Sequence, residues 1–318
     1  MSHLVESMAY VGDMPWHQLG SRLEKGMPLE VWAVKAGLNW EIQRSPVMFQ
    51  ANQHESEVQS FDEKSVLYRS DTGTALSVVG QRYNVVQPRE ILEFYRDLTE
   101  ISGFELETAG VLKGGKKIWA LARTGQSTSL KGNDVTNGYV LLATACDGSM
   151  ATTAQFTRVR VVCNNTLAIS LTQDKEGAVK IPHSTLFNPQ EVKKQLGISV
   201  SAWDNFMYKM KTLSERKVSL KEAREFYHQV LVSPQYAGTE NAGAKSIAKA
   251  ISLFEGNGRG SQLESSRHTA YGLLNSITEF VDYEKRAISP EHRVDSAWFG
   301  QGAVTKQKAL NAALALLA

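Results

Sequence analysis

The stretch from Phe104 to Leu171 restricts what this chain can fold into more than any other. It reads ELETAGVLKGGKKIWALARTG, then VTNGYVLLATACDG, then SMATTAQFTRVRVVCNNTLAISL. These are alternating or continuous runs rich in β-branched residues, the pattern of strands packed on one or both faces. Turn residues break them at Gly114-Gly115, between Gly125 and Asn133, and at Asp147-Gly148. The pattern predicts a four-stranded antiparallel meander, with Asn164 or Asn165 placed to cap a helix through Leu167, Ala168 and Leu171. Positive charge also collects here. Between Thr108 and Cys163 seven Lys and Arg (Lys113, Lys116, Lys117, Arg123, Lys131, Arg158, Arg160) face two acids (Asp134, Asp147), a local excess of +5 in a chain whose net charge is +2.

The rest of the chain therefore sums to −3, so the basic character belongs to the sheet. A chain of 318 residues, 42% apolar and 21% charged, has enough apolar surface for one large core or two ordinary ones. Two cysteines, Cys146 and Cys163, make no disulfide framework and read as reduced thiols of a cytoplasmic protein. The opening MSHLVESMAY lacks the basic and apolar regions of a secretion signal, and no run approaches the ~18 apolar residues of a membrane span. No membrane partner is expected.

The first 25 residues read as a loop-like segment anchored by Pro15-Trp16-His17. A short helix follows from Pro28-Leu29-Glu30 to a stop at Gly37, then a strand from Trp40 to Gln50 in which Pro46 marks an edge or a bulge. His54 to Lys64 reads as a polar loop. Ser65–Ser70 and Thr74–Val79 flank Asp71-Thr72-Gly73 as a hairpin, and Pro88 starts a helix that leads into the meander. Beyond Gln173, Gly177 to His183 reads as one more strand. From Asn188 the pattern is helical: Pro189–Leu196, Val200–Leu213, Leu220–Val232, Ala242–Phe254, Glu264–Arg286 and Gln301–Leu317. The fold class is thus α+β: an antiparallel β-meander with flanking helices in residues 1–185, then a helical C-terminal half in 186–318. That half either forms its own domain or packs back onto the sheet.

Catalytic signatures are sparse. Gly256-Asn-Gly-Arg-Gly260 lacks the Lys-Ser/Thr ending of a phosphate loop and follows a helix rather than a strand, so it reads as an interhelical loop. The seven histidines show no metal-ligand spacing, and no nucleophile elbow is present. No cofactor and no metal are expected. Cys163, beside Arg158 and Arg160, has a reactive reading and a commoner one as a small buried thiol. The two arginines stand two residues apart on a strand, roughly 6.5–7 Å along it and on one face. That spacing suits successive phosphates of an extended single strand. Lys113, Lys116 and Lys117 surround the neighbouring Gly114-Gly115 tip, with Trp119 or Phe156 as a stacking plane. The alternative is that these cations merely keep a sheet edge soluble.

Five phrases resemble the phage/plasmid-like proteins of unassigned function: Pro15–Gly20 (PWHQLG), Ala36–Trp40 (AGLNW), Arg158–Leu167 (RVRVVCNNTL), Tyr271–Asp282 (YGLLNSITEFVD) and Trp298–Ala303 (WFGQGA). They run across nearly the whole chain. At the level of fold, the meander, the helices and the lack of a nucleotide motif are similar to single-strand annealing proteins of phage recombination systems, the RecT, Erf and Rad-type group. This resemblance implies ATP-independent single-stranded DNA binding and annealing by a ring- or filament-forming homo-oligomer, with DNA on Lys113, Lys116, Lys117, Arg158, Arg160 and Trp119. The rival expectations are a non-enzymatic protein that binds a host factor, and a metal-dependent nuclease or hydrolase built from distant acids and histidines.

Overall fold

The computed structural model describes residues 5–12, 15, 19–51, 57–102, 104–160, 165–168, 178–197, 200–232 and 243–317. Its N-terminal part runs β1 (Val5–Val11), β2 (Ser21–Leu23), α1 (Leu29–Lys35), β3 (Ile42–Phe49), β4 (Gln59–Arg69), β5 (Ala75–Gly80) and α2 (Pro88–Ser102). The meander follows as β6 (Glu105–Leu112), β7 (Lys117–Leu130), β8 (Asp134–Ala145) and β9 (Thr152–Arg160), then β10 (Asn165–Ala168) and β11 (Ala178–Ile181). The C-terminal half supplies α3 (Pro189–Gly197), α4 (Val200–Glu215), α5 (Leu220–Leu231), α6 (Ala244–Ser252), α7 (Ala270–Glu279), α8 (Pro290–Phe299) and α9 (Gln301–Ala315).

The large sheet has the order β10-β9-β8-β7-β6-β1-β2, with β11 also paired to β9. The four meander strands pair antiparallel in chain order, as their turn residues predict. Gly125 does not end a strand. It sits in an irregularity of the β7–β8 register between Arg123 and Ser127, where a φ of +79° is needed, and the turn itself falls at Lys131–Asn133. The expected helix cap at Asn165 is also corrected. Asn165–Ala168 is a strand on the outer edge of β9, and β11 lies end to end with it on the same edge, so the two cover backbone groups that would otherwise be exposed. The loop-like reading of the N-terminus is overturned in part, because β1 pairs antiparallel with β6 and parallel with β2. A second, three-stranded sheet has the order β3-β4-β5; β3 is an edge, and its register shifts after Pro46.

Helices lie against the large sheet from both parts of the chain: α2 on β6 and β7, α3 on β9 and β11, α4 on β7, and α7 and α9 on β10. Buried side chains of the two parts join in one continuous apolar core. This packing explains why Ile118–Ala122 of β7 and Tyr139–Ala143 of β8 read as unbroken apolar runs, since strand segments covered on both faces need no polar side. Helix α7 is buried along its whole length. At its start Thr269 accepts a hydrogen bond from the Gly272 amide at 3.0 Å, and a Cβ on Gly272 would sit 2.0 Å from the Ser266 carbonyl oxygen, so only glycine lets the preceding turn approach this closely. Among the described residues no helix is long and apolar enough to cross a membrane.

Candidate functional site

The pleat decides where the cations of the meander go. Trp119 pairs with Ala143 and Ala143 with Thr153, while Arg158 lies five residues further along β9. Trp119 and Arg158 therefore leave the sheet on opposite faces. Both faces are covered at these points. Trp119 is fully buried, its ring edge-on to Trp298 of α8 at 4.7 Å between centroids. Phe156 is buried as well. Neither ring is open to a stacked base, which corrects the expectation for both.

Lys117 is buried with its Nζ 2.5 Å from Asp295 on α8, and Lys113 reaches the other oxygen of the same carboxylate at 2.8 Å. Burial works against the charged form of Asp295. Hydrogen bonds from Lys113 and Lys117 outweigh it and hold the carboxyl below its ordinary value. Both lysines serve as ties between the meander and α8. Lys116 is half-exposed, and its carbonyl accepts from the Cys146 amide at 2.9 Å. The backbone of Arg160 pairs with Thr136 and Asn165, and its side chain lies outside the described residues.

Arg158 departs furthest from an exposed strand-face cation, since only 1% of it is accessible. Its Nη1 donates to the Tyr271 hydroxyl and its Nη2 to the Asn275 side-chain oxygen, each at 3.2 Å. The guanidinium lies 5.4 Å from the Tyr271 ring and 6.0 Å from that of Phe206 on α4. Neutral dipoles and ring faces thus replace water around it. The acids of the neighbouring helical layer are engaged elsewhere. Glu279 accepts from the Arg259 backbone amide at 2.9 Å, and Asp282 meets Lys306 at 2.5 Å with both side chains buried.

The remaining sequence candidates resolve in the same direction. In the Gly256–Gly260 turn the Arg259 guanidinium stands 3.8 Å from the Tyr283 ring and pairs with Glu279, so the loop ties α6 to α7. A Cβ on Gly258 would lie 2.5 Å from the Leu253 carbonyl oxygen, which accounts for glycine there. Burial, assisted by the charge of Asp147, pushes the Cys146 thiol up to about 12. That is the state of an inert structural thiol. Cys163 and His17 lie outside the described residues. His183 is held between the carbonyls of Asn84 and Met150 and stacks on Tyr83 at 4.4 Å. Among the described residues no group of three or more His, Cys, Asp or Glu is placed to hold a metal ion.

A different set of basic side chains does share an accessible surface. Helix α5 begins with a capping box between Ser219 and Glu222 and buries Ala223, Phe226, Tyr227 and Val230. The opposite side carries Lys221, Arg224 and His228, all exposed. With 3.6 residues per turn these three fall within about 60° of arc. None is in an ion pair among the described residues; the nearby Arg216–Glu222 pair lies on the other flank of the helix, and Glu225 borders the row. Lys217, two residues before the N-cap of α5, and Arg267 are also exposed, and Lys217 Nζ donates to the Arg267 carbonyl at 3.2 Å. The 221/224/228 spacing was open to a reading of the sequence, but only the packing of α5 fixes which side faces outward.

The chain belongs to the DUF932 family, a domain of unknown function, which matches residues 75–298. The match spans the meander, α7 and most of α8. No curated protein and no solved structure matches the chain.

Proposed function

We propose that this protein binds the phosphate backbone of single-stranded DNA along α5, without nucleotide or metal, in the annealing and recombination work of a mobile element. The row Lys221, Arg224 and His228 carries this reading, with exposed Lys217 and Arg267 just before the helix adding charge. Successive members of the row on the helix rise by roughly 4.5 and 6 Å, a pitch that a flexible strand can follow and a duplex groove does not require. Annealing needs no chemistry from the protein, since base pairing supplies the free energy once phosphate repulsion is screened. A homo-oligomer fits the same reading. Edge strand β3 and its partner β4 carry exposed Met48, Phe49 and Phe61, which a second copy would cover.

Titration of a labelled oligonucleotide, single-stranded and as duplex, across a salt series tests the reading. Four formal cations neutralised on a single strand give a slope of about −3 in log affinity against log salt. Tighter binding of the single strand, unchanged by chelator, is the expected result. Equal or absent binding of both forms at low salt, or strand cleavage that needs a divalent metal, would overturn it.

A further inference from the structure

Arg224 and His228 stand one turn apart on the exposed side of α5. The rise between them is about 6 Å along the helix axis. Phosphates of an extended strand repeat at a comparable distance, so a strand that sets one phosphate over Arg224 brings the next to His228. Lysine and arginine keep their charge through the neutral range, whereas a histidine side chain changes its charge between pH 5 and 8. His228 is the one member of the row whose charge is conditional. The surrounding acids leave that charge without a resident partner. Glu225, one turn back, is exposed and makes no ion pair with His228 among the described residues. Glu222 is taken by Arg216 at 2.6 Å and by the Ser219 amide at 2.9 Å. The helices packed on α5 are α6 and α9, which meet its buried side, opposite His228. Their charged residues are Lys245, Lys249, Lys306 and Lys308, with no acid among them; Lys249 pairs with Glu284 and Lys306 with Asp282.

We infer that the α5 row takes up a proton on His228 when it binds single-stranded DNA, so that pH regulates the affinity. This inference rests on the nucleic-acid reading of α5 and adds a control to it. A phosphate oxygen beside the imidazole favours the ring form that carries both N–H groups. That form donates to the oxygen in a charge-assisted hydrogen bond. The proton comes from the buffer acid and goes to the unprotonated ring nitrogen, and no bond of the DNA or of the chain breaks. The bound state thus holds more protons than the free state. Affinity rises as pH falls through the imidazole range and levels off below it, where both states are protonated. Lys221 and Arg224 act alone above that range, and His228 joins them as a third cation within it.

Binding of labelled oligothymidine, whose bases do not titrate near neutrality, to the full chain at pH 6 and pH 8 and equal salt tests it. The parent is expected to bind roughly fivefold tighter at pH 6, the upper end for one exposed charge pair, with a salt slope steeper by about 0.7. Titration calorimetry at pH 6 in two buffers of different ionisation heat should show net proton uptake in the parent and none in His228→Gln. His228→Gln is expected to bind with one affinity at both pH values. His228→Lys, a permanent cation at the same place, should bind more tightly than His228→Gln at pH 8 and also show no pH dependence. Both variants change an exposed helix position, and their melting temperatures at each pH check that the fold is unaltered. The inference is overturned if the parent binds equally at pH 6 and pH 8, or if His228→Gln keeps the parent's pH dependence; either result leaves the α5 reading standing. No binding of the parent at either pH in low salt removes that reading and this inference together.

Discussion

The β7–β9 meander and helix α5 make opposite use of their positive charge. In the meander, Arg158 and Lys117 are buried and Lys113 is bound to Asp295. On α5, Lys221, Arg224 and His228 stand in water with no carboxylate partner among the described residues. The meander has the larger excess of cations over acids along the chain, +5 between Thr108 and Cys163 against none in α5, yet the helix has the more accessible cations. The difference comes from layer position. A central sheet covered on both faces can only turn its side chains into other layers, so each cation there must find a dipole, a ring or a carboxylate. A helix at the periphery buries one stripe and leaves the other to solvent.

The largest effect that would break this comparison lies at Arg158. Replacing it with Glu puts a carboxylate among the Tyr271 and Asn275 groups it now satisfies, and about 3–5 kcal/mol of stability should be lost. The same change at Arg224 should stay within about 0.5 kcal/mol of the parent. Urea unfolding of the two variants checks both. A normally stable Arg158→Glu protein would mean that the sheet face is open after all.

Closure of the meander should also show in Cys146. With its thiol held at about 12, very little thiolate exists near neutral pH. In a Cys163→Ser background, alkylation by iodoacetamide at pH 8 is expected to run at least a hundredfold slower in the native protein than in urea. Equal rates would place Cys146 at the surface.

A smaller effect belongs to the tie between meander and α8. The Asp295 carboxyl lies below the ordinary aspartate value in the folded chain, so its contribution is present above the unfolded value and is lost as pH falls through the folded one. Asp295→Asn should cost on the order of 1 kcal/mol at neutral pH. The gap to the parent should stay constant down to about pH 4 and narrow below it. A gap that widens in acid would contradict the assignment of Lys113 and Lys117 as its partners.

Much of the fold was legible because its signals are local. The turns at Gly114-Gly115 and Asp147-Gly148, the Asp71-Thr72-Gly73 hairpin and the helix starting at Pro88 are each set within a few residues. Helix α8 falls outside the predicted helices, although Ser289-Pro290, an N-cap followed by proline at the first position, marks its start. Strands β1 and β10 were not readable in this way, since each is short and is fixed by pairing with β6 or β9. The site failed for the same reason on a longer scale. Lys117 is separated from Asp295 by 178 residues, and Arg158 from Tyr271 by 113. A count of charges along a strand measures covalent proximity and carries no information about what covers the strand.

Salt-dependent binding of one labelled single strand, measured side by side on two double variants, tests the central claim most directly. Lys221→Gln/Arg224→Gln removes two exposed cations from α5, and Lys113→Gln/Lys116→Gln removes two from the meander tip. If α5 is the contact surface, the first variant loses affinity and its salt slope falls by about 1 to 2, while the second binds like the parent. A reversed result, with binding lost only in the meander variant while it remains folded, would contradict the account.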